Sequence, residues 1–174
     1  MKKELIEWAK SIVIAMVIAC VILIFFKPVV VKQESMQPTF YSDDYIIVNR
    51  QAYNLFGDVK RGDVIIFEST LTDGQGHSKN LIKRIIGVPG DTVEIIEGNV
   101  YVNGKLFYED YLAEEGSSGE MAPIQVEEGK IFVMGDNRRV SQDSRSWEIG
   151  QVDQDTIVGK VVVRLYPFDS MKFF

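Results

Sequence analysis

The chain has 174 residues, a length that suits one domain, and a formal net charge of −6. Beyond Phe26 it carries 16 Lys and Arg against 23 Asp and Glu, a balance that argues against nucleic acid as a partner because phosphate binding needs a basic footprint. A single cysteine, Cys20, excludes an internal disulfide and a cysteine-based zinc site, and no cofactor is expected.

From Ser11 to Phe26 there is no charge, and back to Leu5 the apolar stretch is broken only by Glu7 and Lys10. About 20 mostly apolar residues cross a bilayer, and Lys10 lies close enough to one end to reach the interface. Lys27-Pro28 is expected to end this helix, which divides the chain into an anchor over residues 1–27 and a second unit over residues 28–174. A cleaved secretory leader shares the basic start and the apolar run. However, Lys27-Pro28-Val29-Val30-Val31-Lys32-Gln33 has no pair of small residues spaced as a cleavage site requires, so a retained, single-pass anchor in the cell membrane is favoured. Lys2, Lys3 and Lys10 favour a cytoplasmic N-terminus, with the rest of the chain outside the cytoplasm.

Eight residues separate the apolar segment from Ser35, in the run Ser35-Met36-Gln37-Pro38-Thr39. A serine so near a membrane segment suggests hydrolysis at the bilayer surface. The one histidine, His77, falls in the polar stretch Thr72 to Asn80, where Gly, Asp and Asn mark a mobile, solvated loop rather than a catalytic wall. If Ser35 is a nucleophile, a lysine is therefore the candidate base.

Downstream the pattern is that of strands, over residues 44–48, 63–68, 81–87, 92–97, 100–103, 105–108, 130–134 and 157–166. Each is short, rich in β-branched or aromatic residues, and bounded by Gly, Pro, Asn or Asp. Asn103-Gly104 is a two-residue hairpin signal, Glu97-Gly98-Asn99 a second turn, and residues 114–120 (Glu-Glu-Gly-Ser-Ser-Gly-Glu) a flexible loop. The expected architecture is mainly β, an antiparallel coiled or barrel-like domain behind one N-terminal transmembrane helix. Val29 to Val31 and the tail residues Phe168, Met171, Phe173 and Phe174 are candidates for resting on lipid, or equally for packing into the core.

Alternation in Leu81-Ile82-Lys83-Arg84-Ile85-Ile86 places Leu81, Lys83 and Ile85 on one face and Ile82, Arg84 and Ile86 on the other. Lys83 then has two readings. An edge-strand lysine discourages aggregation; a desolvated amine loses its charge more readily and serves as a base. Residues 135–145, Gly-Asp-Asn-Arg-Arg-Val-Ser-Gln-Asp-Ser-Arg, follow an apolar strand and are either a solvated loop or the fixed polar surround that a catalytic amine needs.

The run at Ser35, Arg61-Gly62-Asp63-Val64-Ile65-Ile66-Phe67, Lys83-Arg84-Ile85-Ile86-Gly87-Val88-Pro89-Gly90-Asp91 and the run 135–145 resemble, in that order, the signature blocks of the bacterial type I signal peptidases, or leader peptidases. The single anchor and short insertions resemble the compact Gram-positive form. The resemblance implies a membrane-anchored serine endopeptidase that removes N-terminal signal peptides from exported preproteins after small residues, with those preproteins, the lipid bilayer and the protein-export machinery as partners. It assigns Ser35 as nucleophile and Lys83 as general base, with Ser141 orienting the lysine and Asp143 and Arg145 supporting it. Gln33 departs from the pattern, since some members carry there a serine whose hydroxyl helps bind the oxyanion. Two rivals are a catalytically silent, membrane-tethered peptide-binding protein of the same fold and a soluble Ser-Lys self-cleaving repressor. Retention of Ser35 and Lys83 counts against the first, the anchor against the second.

Overall fold

In the computed structural model, which describes residues 2–55 and 57–174, helix α1 (Lys2–Phe25) leads the chain. Within it, Ile6–Phe25 has a mean hydropathy of 2.5 and none of its apolar window is buried against the rest of the protein. A helix apolar all round and covered by no protein suits hydrocarbon. The two charges inside this stretch pair with each other, Lys10 Nζ lying 3.1 Å from Glu7 Oε1.

The helix stops at Phe25, before the Lys27-Pro28 expected to end it, because β1 (Phe26–Val30) already pairs with β2 (Tyr45–Asn49). β1 is the edge of its sheet, where proline is tolerated, and Pro28 also steers Lys27 out of the helical region. The remaining strands are β3 (Val64–Thr72), β4 (Ser78–Gly87), β5 (Thr92–Ile96), β6 (Asn99–Val102), β7 (Lys105–Leu106), β8 (Met121–Gln125), β9 (Lys130–Met134), β10 (Val152–Asp153), β11 (Ile157–Tyr166) and β12 (Lys172–Phe173). They form two antiparallel sheets. The larger runs β1-β2-β11-β3-β4-β9-β10 with β12 against β11, and the smaller runs β7-β6-β5-β8. The chain is thus mainly antiparallel β behind one apolar helix, as the sequence indicates.

The turns follow their residues. Glu97 and Gly98, like Asn103 and Gly104, all have positive φ, which is what a two-residue hairpin between right-twisted strands demands. The stretch 72–80 is not the wide loop expected: β3 continues to Thr72 and β4 begins at Ser78, which leaves a short tip. Asp73 Oδ1 builds that tip by accepting the amides of Gln75 and His77 at 2.8 and 3.0 Å. His77 stays exposed beside Asp73, its Nδ1 lying 3.4 Å from Asp73 Oδ2.

Both faces of the β3–β4 pair are buried. Val64, Ile66 and Ile82 join one apolar cluster with Met36 and Phe40, while Ile65, Phe67, Leu81 and Ile85 join another with Ile131 and Val133. The strand that carries Lys83 is therefore central and dry, which removes the edge-strand reading.

Candidate active site

Ser35 lies in the tight turn that follows β1. Met36 and Phe40, both fully buried, nail this turn to the core, and Phe40 N–H donates to Met36 O at 2.8 Å. With those two side chains directed inward, the Ser35 hydroxyl reaches β4. Lys83 Nζ is hydrogen-bonded to Ser35 Oγ at 2.7 Å, across 48 residues of chain. Lys83 is 1% exposed and Ser35 7%.

Burial is the main cause that pushes the Lys83 ammonium down to about 8 from the ordinary 10.5. The Asp143 and Asp136 carboxylates pull it back up, and the Arg145 charge pushes it down. A shift of that size corresponds to about 3 kcal/mol against the charged form, which burial among Leu81, Ile85 and their neighbours readily supplies.

The loop 135–145 closes the site from the other side. Asn137 N–H donates to Ser35 O at 3.0 Å and Asn137 Nδ2 to Glu34 O at 3.2 Å. Gly135 is where the two segments touch: a Cβ there would lie 2.2 Å from Ser141 Oγ and 2.4 Å from Ser35 O, so only glycine fits. Asp143, almost wholly buried, accepts Gly135 N–H at 3.0 Å and a bidentate grip from Arg145, Nε to Oδ1 at 2.8 Å and Nη2 to Oδ2 at 2.9 Å. Ser141 Oγ is buried beside Gly135 and has no hydrogen-bond partner among the described residues, so its hydroxyl does not reach Lys83 in this arrangement. Gln33 is exposed and lines the cleft that holds the pair.

The sequence reading missed a second buried couple. Arg84, next to Lys83 but on the opposite face of β4, donates to Asp136 through Nε at 2.9 Å and Nη2 at 2.6 Å, and Thr39 Oγ1 donates to the same carboxylate. One ion pair thereby fastens the serine turn, β4 and the loop 135–145 together. Its signal was present, since a cation on an apolar strand face must find an anion. Of the other quoted runs, Arg61 pairs with Asp91, and Asp63 accepts Lys160 Nζ at 2.7 Å and Tyr53 OH at 2.8 Å. These contacts brace the sheets rather than the serine.

Two depressions adjoin in this region. A cleft of about 350 Å³ is lined by Ser35, Lys83, Leu81, Leu71, Val140 and Gln142. A more apolar groove of about 350 Å³ runs along Val29 to Val31, Ile66 and Ile82. Gln33 and Leu81 border both, so the cleft that holds Ser35 continues into the apolar groove.

A serine hydroxyl hydrogen-bonded to a buried amine, in a cleft that adjoins an apolar groove, is an arrangement that can carry hydrolytic chemistry. The family described as signal peptidase, peptidase S26, matches residues 5–166. The chain is 39% identical over 182 residues to signal peptidase I S of Bacillus subtilis (strain 168), covering 98% of this chain and 94% of that one. It is 37% identical over 191 residues to signal peptidase IB of Staphylococcus aureus (strain MRSA252), covering 99% and 95%. A crystal structure of a signal peptidase I from Enterococcus faecalis V583 is similar with a TM-score of 0.50 and 33% identity, over 59% of this chain and 96% of that one. The chain belongs to the signal peptidase, peptidase S26, family.

Proposed function

We propose that the chain is a membrane-anchored serine endopeptidase that removes N-terminal signal peptides from exported preproteins after small residues. The observation that carries this reading is the buried contact between Lys83 Nζ and Ser35 Oγ at 2.7 Å, with no carboxylate bonded to the amine among the described residues. Family membership supports the substrate class, because the relatives are signal peptidases I.

In the proposed reaction the neutral Lys83 amine takes the Ser35 proton as Oγ attacks the scissile carbonyl, and the tetrahedral oxyanion rests on the Ser35 N–H. The ammonium then gives its proton to the departing amine, which leaves an acyl-enzyme on Ser35. Lys83 next deprotonates the attacking water, and as the second tetrahedral intermediate collapses the ammonium returns that proton to Ser35 Oγ, releasing the signal peptide with a free carboxylate. Asp143 and Arg145 hold the loop 135–145 in place, and Ser141 orients the lysine once substrate has closed the cleft. The groove along Val29 to Val31 takes the signal-peptide side of the bond, since it lies directly after the anchor and is apolar.

The N-terminus is proposed to be cytoplasmic and the β domain, residues 28–174, extracytoplasmic, with cleavage at the lipid surface beside the export machinery. Incubating the purified protein and its Ser35→Ala variant with a preprotein, then sequencing the new N-terminus, tests the function. The expected result is a single cut after a small residue that only the unaltered protein makes. No cut, or an equal cut by the variant, contradicts it. Protease added to intact spheroplasts should digest the β domain; full protection contradicts the orientation.

A further inference from the structure

Residues 107–120, which join β7 to β8, contain Glu109, Asp110, Glu114, Glu115 and Glu120 and form no regular structure. Such composition reads as a solvated loop, and residues 114–120 were expected to be one, yet Ser118 is buried. The segment is bolted to the loop 135–145 at its two ends. Glu109 receives both terminal nitrogens of Arg138, the Nη1 bond to Oε2 being 3.0 Å, and Ser118 meets Arg138 through its hydroxyl and Arg145 Nη1 through its carbonyl at 3.1 Å. The Arg138 side chain is wholly buried and that of Glu109 is 8% exposed.

A buried ion pair is seldom kept for stability alone, because apolar residues of similar volume are often as stable. What the planar guanidinium adds is direction. While its two ends face Glu109, Arg138 Nε donates to Gly135 O at 2.9 Å. Gly135 is the point that bears on both Ser35 O and Ser141 Oγ, with no room to spare. We propose that Glu109 is a positioning residue for the Ser35–Lys83 pair, acting through Arg138 to fix Gly135 against the backbone of the nucleophile. This rests on the peptidase reading above.

The test uses the full-length protein in detergent with a signal-peptide substrate, and reads kcat, KM and the melting temperature of three variants. Glu109→Gln should lower kcat by about tenfold or more with KM little changed, since misplacement of a reacting group by about 1 Å can cost on the order of a hundredfold. The paired variant Glu109→Leu/Arg138→Met removes both charges at once, so its melting temperature should return towards that of the unaltered protein. Its kcat should stay low, because Gly135 O has lost its donor. A merely structural ion pair gives the opposite result: the paired variant recovers kcat together with stability, and that overturns the proposal. If Glu109→Gln does not fold, the paired variant alone decides. Ser35→Ala is run beside them; cleavage at the unaltered rate in that variant would overturn the dyad itself, a result distinct from Glu109 variants that work normally while Ser35→Ala is dead.

Discussion

Arg145 grips both carboxylate oxygens of Asp143, at 2.8 and 2.9 Å, and so satisfies an anion that would otherwise be free to stabilise the Lys83 ammonium. The pair does two things for the amine. It places a cation near Lys83, which pushes its ionisation down, and it engages the carboxylate, whose charge pushes the ionisation up.

Arg145→Gln should therefore raise the ionisation that controls kcat/KM. The variant should lose more activity at pH 7 than at pH 10, where the amine is neutral in either protein. Comparing the two pH profiles checks this. A parallel loss at all pH values would mean that Arg145 serves packing only.

Lys83 also carries a stability consequence. Its folded-state ionisation, about 8, lies below the ordinary 10.5, so at neutral pH folding opposes the proton that the unfolded chain binds freely. The cost is fully present below about 8 and is relieved as pH rises from there to about 10.5. Lys83→Met should thus be inactive yet more stable at pH 7, by up to about 3 kcal/mol, with the gap closing above pH 10. Thermal melts at pH 7 and 10.5 measure it, and a gap that does not shrink with pH contradicts the desolvation account.

Gly135→Ala should abolish most activity and cost on the order of 1–3 kcal/mol in stability. Its Cβ would meet the Ser35 carbonyl oxygen at 2.4 Å, and this is backbone that cannot swing aside. Adding Ser141→Ala removes only the Oγ at 2.2 Å, leaves Ser141 Cβ at 2.6 Å and the Ser35 carbonyl oxygen in place, and should not rescue turnover. Recovery in the double variant would show that the serine backbone has room to shift.

The tail divides its aromatics between two uses. Phe174 stacks 4.7 Å from Phe40 and belongs to the core, with Val29 and Val31 beside it, whereas Phe168 and Phe173 are 75% and 78% exposed. A form beginning at Phe26 should float with liposomes, and Phe168→Ser/Phe173→Ser should stay in the supernatant. Phe174→Ala should lower the melting temperature instead. If the double serine variant floats as well as its parent, lipid contact lies elsewhere.

Much of this fold is legible in the sequence where side chains alternate over several residues. The reading places β9 and β11 over 130–134 and 157–166 because each strand is long enough for the period to show. It misses β1, β10 and β12, the last two of two residues each, and β8, where Pro123 and a single β-branched residue, Ile124, hide a strand that pairing with β5 creates. The site divides in the same way. Ser35 and Lys83 are readable as chemistry, and Asp143 with Arg145 as a close pair in the chain. Arg138 and Glu109 lie 29 residues apart in stretches that look solvated, and only tertiary packing makes them a buried pair.

The central claim is that burial lowers the Lys83 ionisation far enough for its amine to act as the base for Ser35. The most direct measurement is kcat/KM against pH for the detergent-solubilised protein, using a peptide substrate with no titrating group in the range. The account predicts activity that rises with pH through a single ionisation near 8. A rise centred near the free-lysine value of about 10.4 would mean a solvated amine and would contradict it.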